Sequence, residues 1–195
     1  MQEAKHKNRA LITWFAIFFV GIFVVVGYTV STRNGFVSAK TNVDKSLADI
    51  GVQLQRRSDL IPSLVNTVKG YAKHEESVFS AVTAARERMM GAKTPEEMSA
   101  ADGELTRSLG RLFAVAENYP ELKANESFLS LQDEIAGTEN RIAVSRREFN
   151  EQATRFNTMV NLFPKNLLAK MFGFKEIALF NADENAKTVP VVNFD

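Results

Sequence analysis

From Leu11 to Val30 the chain carries no charged side chain. That is about twenty residues, the length a helix rising 1.5 Å per residue needs to cross a hydrocarbon core. The polar side chains within it, Thr13 and Thr29, have hydroxyls that bond back to a helical backbone. Trp14 and Tyr28 stand near its ends, where amphipathic rings settle among lipid headgroups. Lys5, Lys7 and Arg9 precede the run in the manner of a signal peptide. A signal core is shorter, however, and Tyr28-Thr29-Val30-Ser31-Thr32 is a poor match to a small-residue cleavage site. The pattern therefore predicts a transmembrane helix over residues 11–30, after a short N-terminal segment over 1–10. The cations before the span are more tightly grouped than Arg33, Lys40 and Lys45 after it, a bias towards an N-terminus in the cytoplasm.

Beyond a junction over residues 31–41, apolar positions repeat at spacings of three and four. Val43, Leu47, Ile50, Leu54, Ile61, Leu64, Val68, Tyr71, Val78, Val82, Ala85 and Met89 form a heptad stripe, with Arg57 and Glu75 at two of its positions. This predicts one long helix, or two in register, from Asn42 to Met90. It is expected to break or kink near Pro62, which lacks a backbone donor, and to be capped by Gly91. A second helix has a clear start, with Thr94 as cap, Pro95 at the first helical position and Glu97 completing a capping box. Its apolar face is Met98, Leu105, Leu109, Leu112, Ala116 and Tyr119, and Pro120 is expected to end it. A short linker leads to Asn125, a favoured cap for the third helix. There Phe128, Leu131, Ile135, Ile142, Phe149, Phe156, Met159 and Phe163 share one phase, with Thr138, Ser145 and Gln152 as polar members. Three such faces satisfy one another by packing as an elongated antiparallel bundle over residues 42–175.

Leu167, Leu168, Met171, Phe172 and Phe174 then crowd a short segment with Lys165, Lys170 and Lys175. It reads either as a helix closing the bundle end, the reading we favour, or as one lying at a lipid interface. Residues 176–195 read as a tail that packs in extended form. The fold class is thus all-α: an N-terminal transmembrane helix followed by an antiparallel bundle of three to four long helices.

Composition narrows the function. The net charge is +1, without the basic excess that supplies affinity for phosphates, so nucleic acid is not an expected partner. The chain has no cysteine, which removes disulfides, thiolate metal sites and a cysteine nucleophile from consideration. His6 and His74 are the histidines, and a helical metal site wants ligands three or four residues apart, so His74 beside Glu75 and Glu76 has no second histidine to work with. Gly70 and Gly110 stand alone, so no phosphate-cradling loop is formed, and no serine sits in a nucleophile elbow. Arg57, if buried, needs a carboxylate. The expected partners are Glu134 or Glu139, with Arg141 or Arg146 serving Glu75. Such pairs fix helix register, as polar residues do in coiled coils, and a charged functional cleft is the alternative.

Four runs carry a resemblance. They are Val52-Gln53-Leu54-Gln55-Arg56-Arg57-Ser58-Asp59-Leu60-Ile61-Pro62-Ser63-Leu64-Val65, Val68-Lys69-Gly70-Tyr71-Ala72-Lys73-His74-Glu75, Ala116-Glu117-Asn118-Tyr119-Pro120-Glu121-Leu122-Lys123-Ala124-Asn125 and Gly137-Thr138-Glu139-Asn140-Arg141-Ile142-Ala143-Val144-Ser145-Arg146-Arg147. In that order they resemble the signature of LemA proteins, from the anchor to Phe174. The sequence departs where the family usually shows a Tyr-Asn pair after the membrane helix; Arg33-Asn34 stands here. The resemblance implies a membrane-anchored helical bundle without an established activity. It also implies an N-terminus outside the cell, against the charge bias, so the side stays open. Some relatives are associated with building or shaping magnetosome membranes.

The expectation is therefore a single-pass protein of the cell (inner) membrane, with no catalytic, cofactor-binding or metal-binding residues and no cofactor. It is read as a scaffold whose partners are the lipid bilayer, further copies of itself as a homo-oligomer, and an unidentified protein. The alternatives are a lipid-interface protein that remodels or senses membranes, and an enzyme or sensor using charged residues of the bundle.

Overall fold

A computed structural model describes the backbone of residues 2–180 and the side chains of 14–180. The cations expected to flank the span at Lys5, Lys7 and Arg9, His6, and most of the tail over 176–195 lie outside those described side chains. Six helices follow one another among the described residues: α1 (Gln2–Lys69), α2 (Glu76–Gly91), α3 (Pro95–Ala116), α4 (Pro120–Lys123), α5 (Glu126–Asn161) and α6 (Lys165–Phe172). No described residue lies in a strand. The all-α architecture with a long apolar N-terminal helix is as the periodicity predicts.

The described chain divides into two compact units, residues 2–42 with Thr154–Ile177, and Val43–Ala153 with the residues from Ala178. In the first, α1 carries a stretch beginning at Trp14 that is long and apolar enough to cross a membrane, with almost none of it buried against protein. Thr29 donates to the Val25 carbonyl at 2.8 Å, so its hydroxyl is satisfied within the helix. Residues 31–41 continue the helix without a break.

In the second unit the helices alternate in direction. Arg86 and Lys69 link α2 antiparallel to α1, through Ser58 and Phe79. Asp102 with Arg146, and Phe113 with Phe128, link α3 antiparallel to α5. Arg57 with Glu139, and Tyr71 just after α1 with Asn125 just before α5, do the same for α1 and α5. The core runs along the anticipated stripes, with Ile50, Ile61, Leu64, Leu105, Leu109, Leu112, Ile142 and Phe149 fully buried. Burying an aromatic such as Phe149 removes on the order of 150–250 Å² from water, which is why the regular α5 stripe holds the unit together.

Three local expectations need correction. Helix α1 does not break at Pro62; it ends at Lys69, and α2 begins only at Glu76. Pro62 lacks the N–H that should bond the Ser58 carbonyl four residues back, but Arg86 Nε donates to that carbonyl at 2.9 Å and replaces the missing bond. The chain turns instead where Tyr71 and Ala72 both donate to the Val68 carbonyl. Around that turn Ala72 and Phe79 enter the core in place of Tyr71 and Val78, and from Val82 through Ala85 to Met89 the anticipated stripe holds. Glu75, anticipated on the buried stripe, stands only half-buried before α2.

The second helix starts as anticipated, with the reciprocal Thr94–Glu97 capping box and Pro95 in its first turn. It stops at Ala116, ahead of Pro120, which opens the short α4 rather than ending α3. Asn125 caps α5 by accepting from the Phe128 N–H at 3.0 Å. Gly91 is the last residue of α2, and Ala92 is its C-cap.

Candidate functional site

The α1 repeat sets Arg57 where Leu54 and Ile61 are apolar, and its side chain is 1% exposed. Its Nη1 donates to Asp102 Oδ1 on α3 at 2.6 Å, and its Nη2 lies 3.6 Å from Glu139 Oε2 on α5. The second Asp102 oxygen accepts from Arg146 Nη2 of α5 at 3.0 Å. Three helices are thereby joined at one carboxylate. Beside this cluster Arg56 and Arg141 both donate to Glu134 Oε1 at the more exposed face, where screening by water leaves ion pairs little energetic weight.

Asp102, which the sequence reading missed, is the partner that Arg57 needs. The signal was present: Met98 and Leu105 are seven residues apart, and the 3–4 repeat requires a member between them, at Ala101 or Asp102. Of the anticipated acids, Glu139 does reach Arg57, whereas Glu134 serves Arg56 and Arg141. Arg146 serves Asp102 rather than Glu75.

The chemistry open to this cluster is limited. Both Asp102 oxygens accept guanidinium hydrogen bonds, so the carboxylate is engaged in pairing the helices. An open groove of about 1050 Å³ runs over it, lined by Asp102, Arg107, Glu139, Arg146, Arg147 and Asn150 among others. Part of its wall is the chain's own extended segment: Phe180 packs edge-on to Phe149, with Arg146 5.3 Å above its ring. Asn150 fixes that segment by donating to the Phe180 carbonyl and accepting from the Phe180 N–H, both at 2.8 Å. His74 is exposed between α1 and α2. Among the described residues, no group of three or more His, Asp or Glu side chains is gathered as metal ligands would be.

The first unit holds a surface of another kind. Phe36 is fully buried, with the Phe174 ring 5.0 Å away, and Phe174 also meets Phe156 at 6.2 Å. Gly173, at φ +77°, makes the left-handed turn that ends α6 and brings Phe174 back to that contact. Asn157 holds the following chain as Asn150 does Phe180, exchanging two 2.8 Å bonds with the backbone of Ile177. Outside this small core, Leu162, Phe163, Leu167 and Met171 are exposed by 56%, 75%, 59% and 62%. Phe163 was expected to extend the α5 core stripe; the helix ends at Asn161, and the side chain turns outward.

Comparison with known proteins places this arrangement. The chain is similar to the magnetosome protein MamQ of Magnetospirillum gryphiswaldense, with 26% identity over 185 residues, covering 82% of this chain and 68% of that protein. It is similar to magnetosome protein MamQ 2 of Paramagnetospirillum magneticum, with 26% identity over 206 residues, covering 91% and 75%. It is similar also to protein LemA of Metamycoplasma hominis, with 26% identity over 178 residues, covering 88% and 79%. None of these names denotes an enzyme. The model of the LemA family matches residues 46–194, from the fourth residue of the second unit onward, and this protein belongs to the LemA family.

Proposed function

We propose that this protein is a non-enzymatic, membrane-tethered helical scaffold that works at the cell membrane through self-association or partner binding and helps organise that membrane. The observation that carries the reading is the course of α1. An apolar stretch with its side chains exposed runs on, without a flexible linker, into the helix whose later turns form the bundle core. The anchor and the bundle therefore share one uninterrupted helix. The buried charges support the same reading, because the Arg57–Asp102–Arg146 cluster is consumed in ion pairs between helices, the use by which polar groups fix register. Similarity to proteins named for the magnetosome supports a membrane-organising role. Crosslinking of the full-length protein in cells tests the proposal. Recovery of multimers or of a defined neighbour is expected; a strict monomer with no recovered neighbour refutes it.

A further inference from the structure

We propose that the corner between α5 and α6 is a second membrane-contact element, seated in the headgroup layer beside the α1 span. Its occupant is the bilayer interface itself, with anionic headgroups against its lysines. The inference rests on the anchoring of α1 and not on self-association.

The height of the corner follows from contacts within one compact unit. Met159 lies over Gly35, where a Cβ would meet its methyl carbon at 3.7 Å. Phe156, three residues earlier, shares Phe174 with Phe36. Helix α5 therefore runs back along α1 towards the span. Two residues beyond Met159, at about 1.5 Å each, α5 ends at Asn161, about 3 Å nearer the membrane and level with Arg33, and the turn that carries Leu162 and Phe163 follows it. The uncharged run of α1 ends at Val30. The far end of α6 stays close to this part of α1, with the Arg33 guanidinium 5.8 Å from the Phe172 ring.

At that level an exposed apolar surface meets lipid, not bulk water. Leu162 and Phe163 project from the turn, while Leu167 and Met171, four residues apart, lie on one face of α6. Only Ala169 of α6 is fully buried, so most of its apolar surface has no use inside the unit. Lys165, Lys170 and Lys175 flank the patch, and Arg33 borders it. Apolar side chains reaching about 5–10 Å into the headgroup boundary, with cations along the edge, are what an interfacial helix on an anionic surface requires. A closing role for α6 accounts for Ala169 and Phe174. It leaves Leu162, Phe163, Leu167 and Met171 unexplained.

Because the chain has no cysteine, a single environment-sensitive fluorophore can be placed at will. Full-length protein carrying Phe163→Cys or Leu167→Cys, labelled with a nitrobenzoxadiazole dye, is reconstituted in phosphatidylcholine vesicles with and without phosphatidylglycerol. Shallow spin-labelled lipids serve as quenchers. Thr41→Cys, exposed and about 16 Å further along α1 than Val30, is the reference. Trp14, the one tryptophan, reports the anchor independently. The expected result is a blue-shifted emission at 163 and 167, quenched severalfold more than at 41. Replacing Lys165 and Lys170 by Gln is expected to reduce that quenching in anionic vesicles selectively. Labels at 163 and 167 that behave like the one at 41, while Trp14 is quenched, overturn the proposal and leave the anchor standing. Labels shielded from water but untouched by lipid quenchers point to a second protein on the corner and overturn it equally. An unquenched Trp14 overturns the anchor on which both readings depend.

Discussion

Removing the Asp102 carboxylate tests the account of the buried cluster most severely. In Asp102→Ala the Arg57 guanidinium, 1% exposed, loses its 2.6 Å acceptor and keeps only Glu139 at 3.6 Å. Arg146 loses its 3.0 Å partner at the same time. Breaking a buried pair by deleting one member costs about 3–5 kcal/mol, because an uncompensated charge is left behind. For a domain of this size, about 2–4 °C per kcal/mol converts that loss to roughly 6–20 °C in the melting temperature. Far-UV circular dichroism of the full-length protein in detergent micelles reads the bundle transition. Replacing both partners, Arg57→Met with Asp102→Leu, removes the desolvated charges together and is expected to recover most of the loss, since apolar replacement of a whole buried pair is often neutral or stabilising. A loss below about 1 kcal/mol in the single variant, or a double variant no better than the single, refutes the reasoning. Either result means that Arg57 is solvated, not locked.

Other predictions follow from the local geometry. Arg86→Met strands the Ser58 carbonyl that Pro62 leaves open and should cost about 1–3 kcal/mol; with Pro62→Ala, which restores the backbone donor, denaturant melts should show a distinctly smaller cost. The Lys93 and Thr94 N–H groups hold the Glu97 carboxyl below its ordinary range. Its contribution is therefore present above the unfolded value, about 4.3, and is lost as pH falls through the lower folded value; a side-chain NMR titration with a midpoint above that of an unfolded glutamate contradicts this. Thr94→Ala, removing the other half of the capping box, should cost about 1 kcal/mol in the same melts. Asn157→Ala removes both bonds to Ile177, so hydrogen exchange at the Ile177 amide should accelerate severalfold while amides of α2 stay unchanged.

Much of this was legible in the sequence, because helix faces are written in spacings that survive folding. Ile135, Thr138, Ile142, Phe149 and Phe156 are buried along one stripe of α5, and the Thr94–Glu97 box starts α3. What misled was chemistry supplied from elsewhere in the fold. Pro62 reads as a breaker until Arg86, from another helix, occupies the carbonyl it frees. Glu75 reads as a core acid because the spacing carries on across Gly70, where the chain turns after Lys69 and leaves Glu75 ahead of α2. Asp102 could have been found from the gap in its own stripe, but its pairing with two arginines from α1 and α5 depends on tertiary placement. Phe163 matched its stripe in number only, since α5 ends before reaching it.

Counting subunits in the membrane tests the scaffold reading most directly. Full-length protein with one dye at Glu87→Cys, an exposed position on α2, can be captured at low density from native membranes in lipid nanodiscs and followed by single-molecule photobleaching. The account predicts particles that bleach in more than one step, retained when the membrane is diluted with added lipid. Single-step bleaching throughout, with no neighbouring protein recovered from the same membranes by crosslinking, would contradict it.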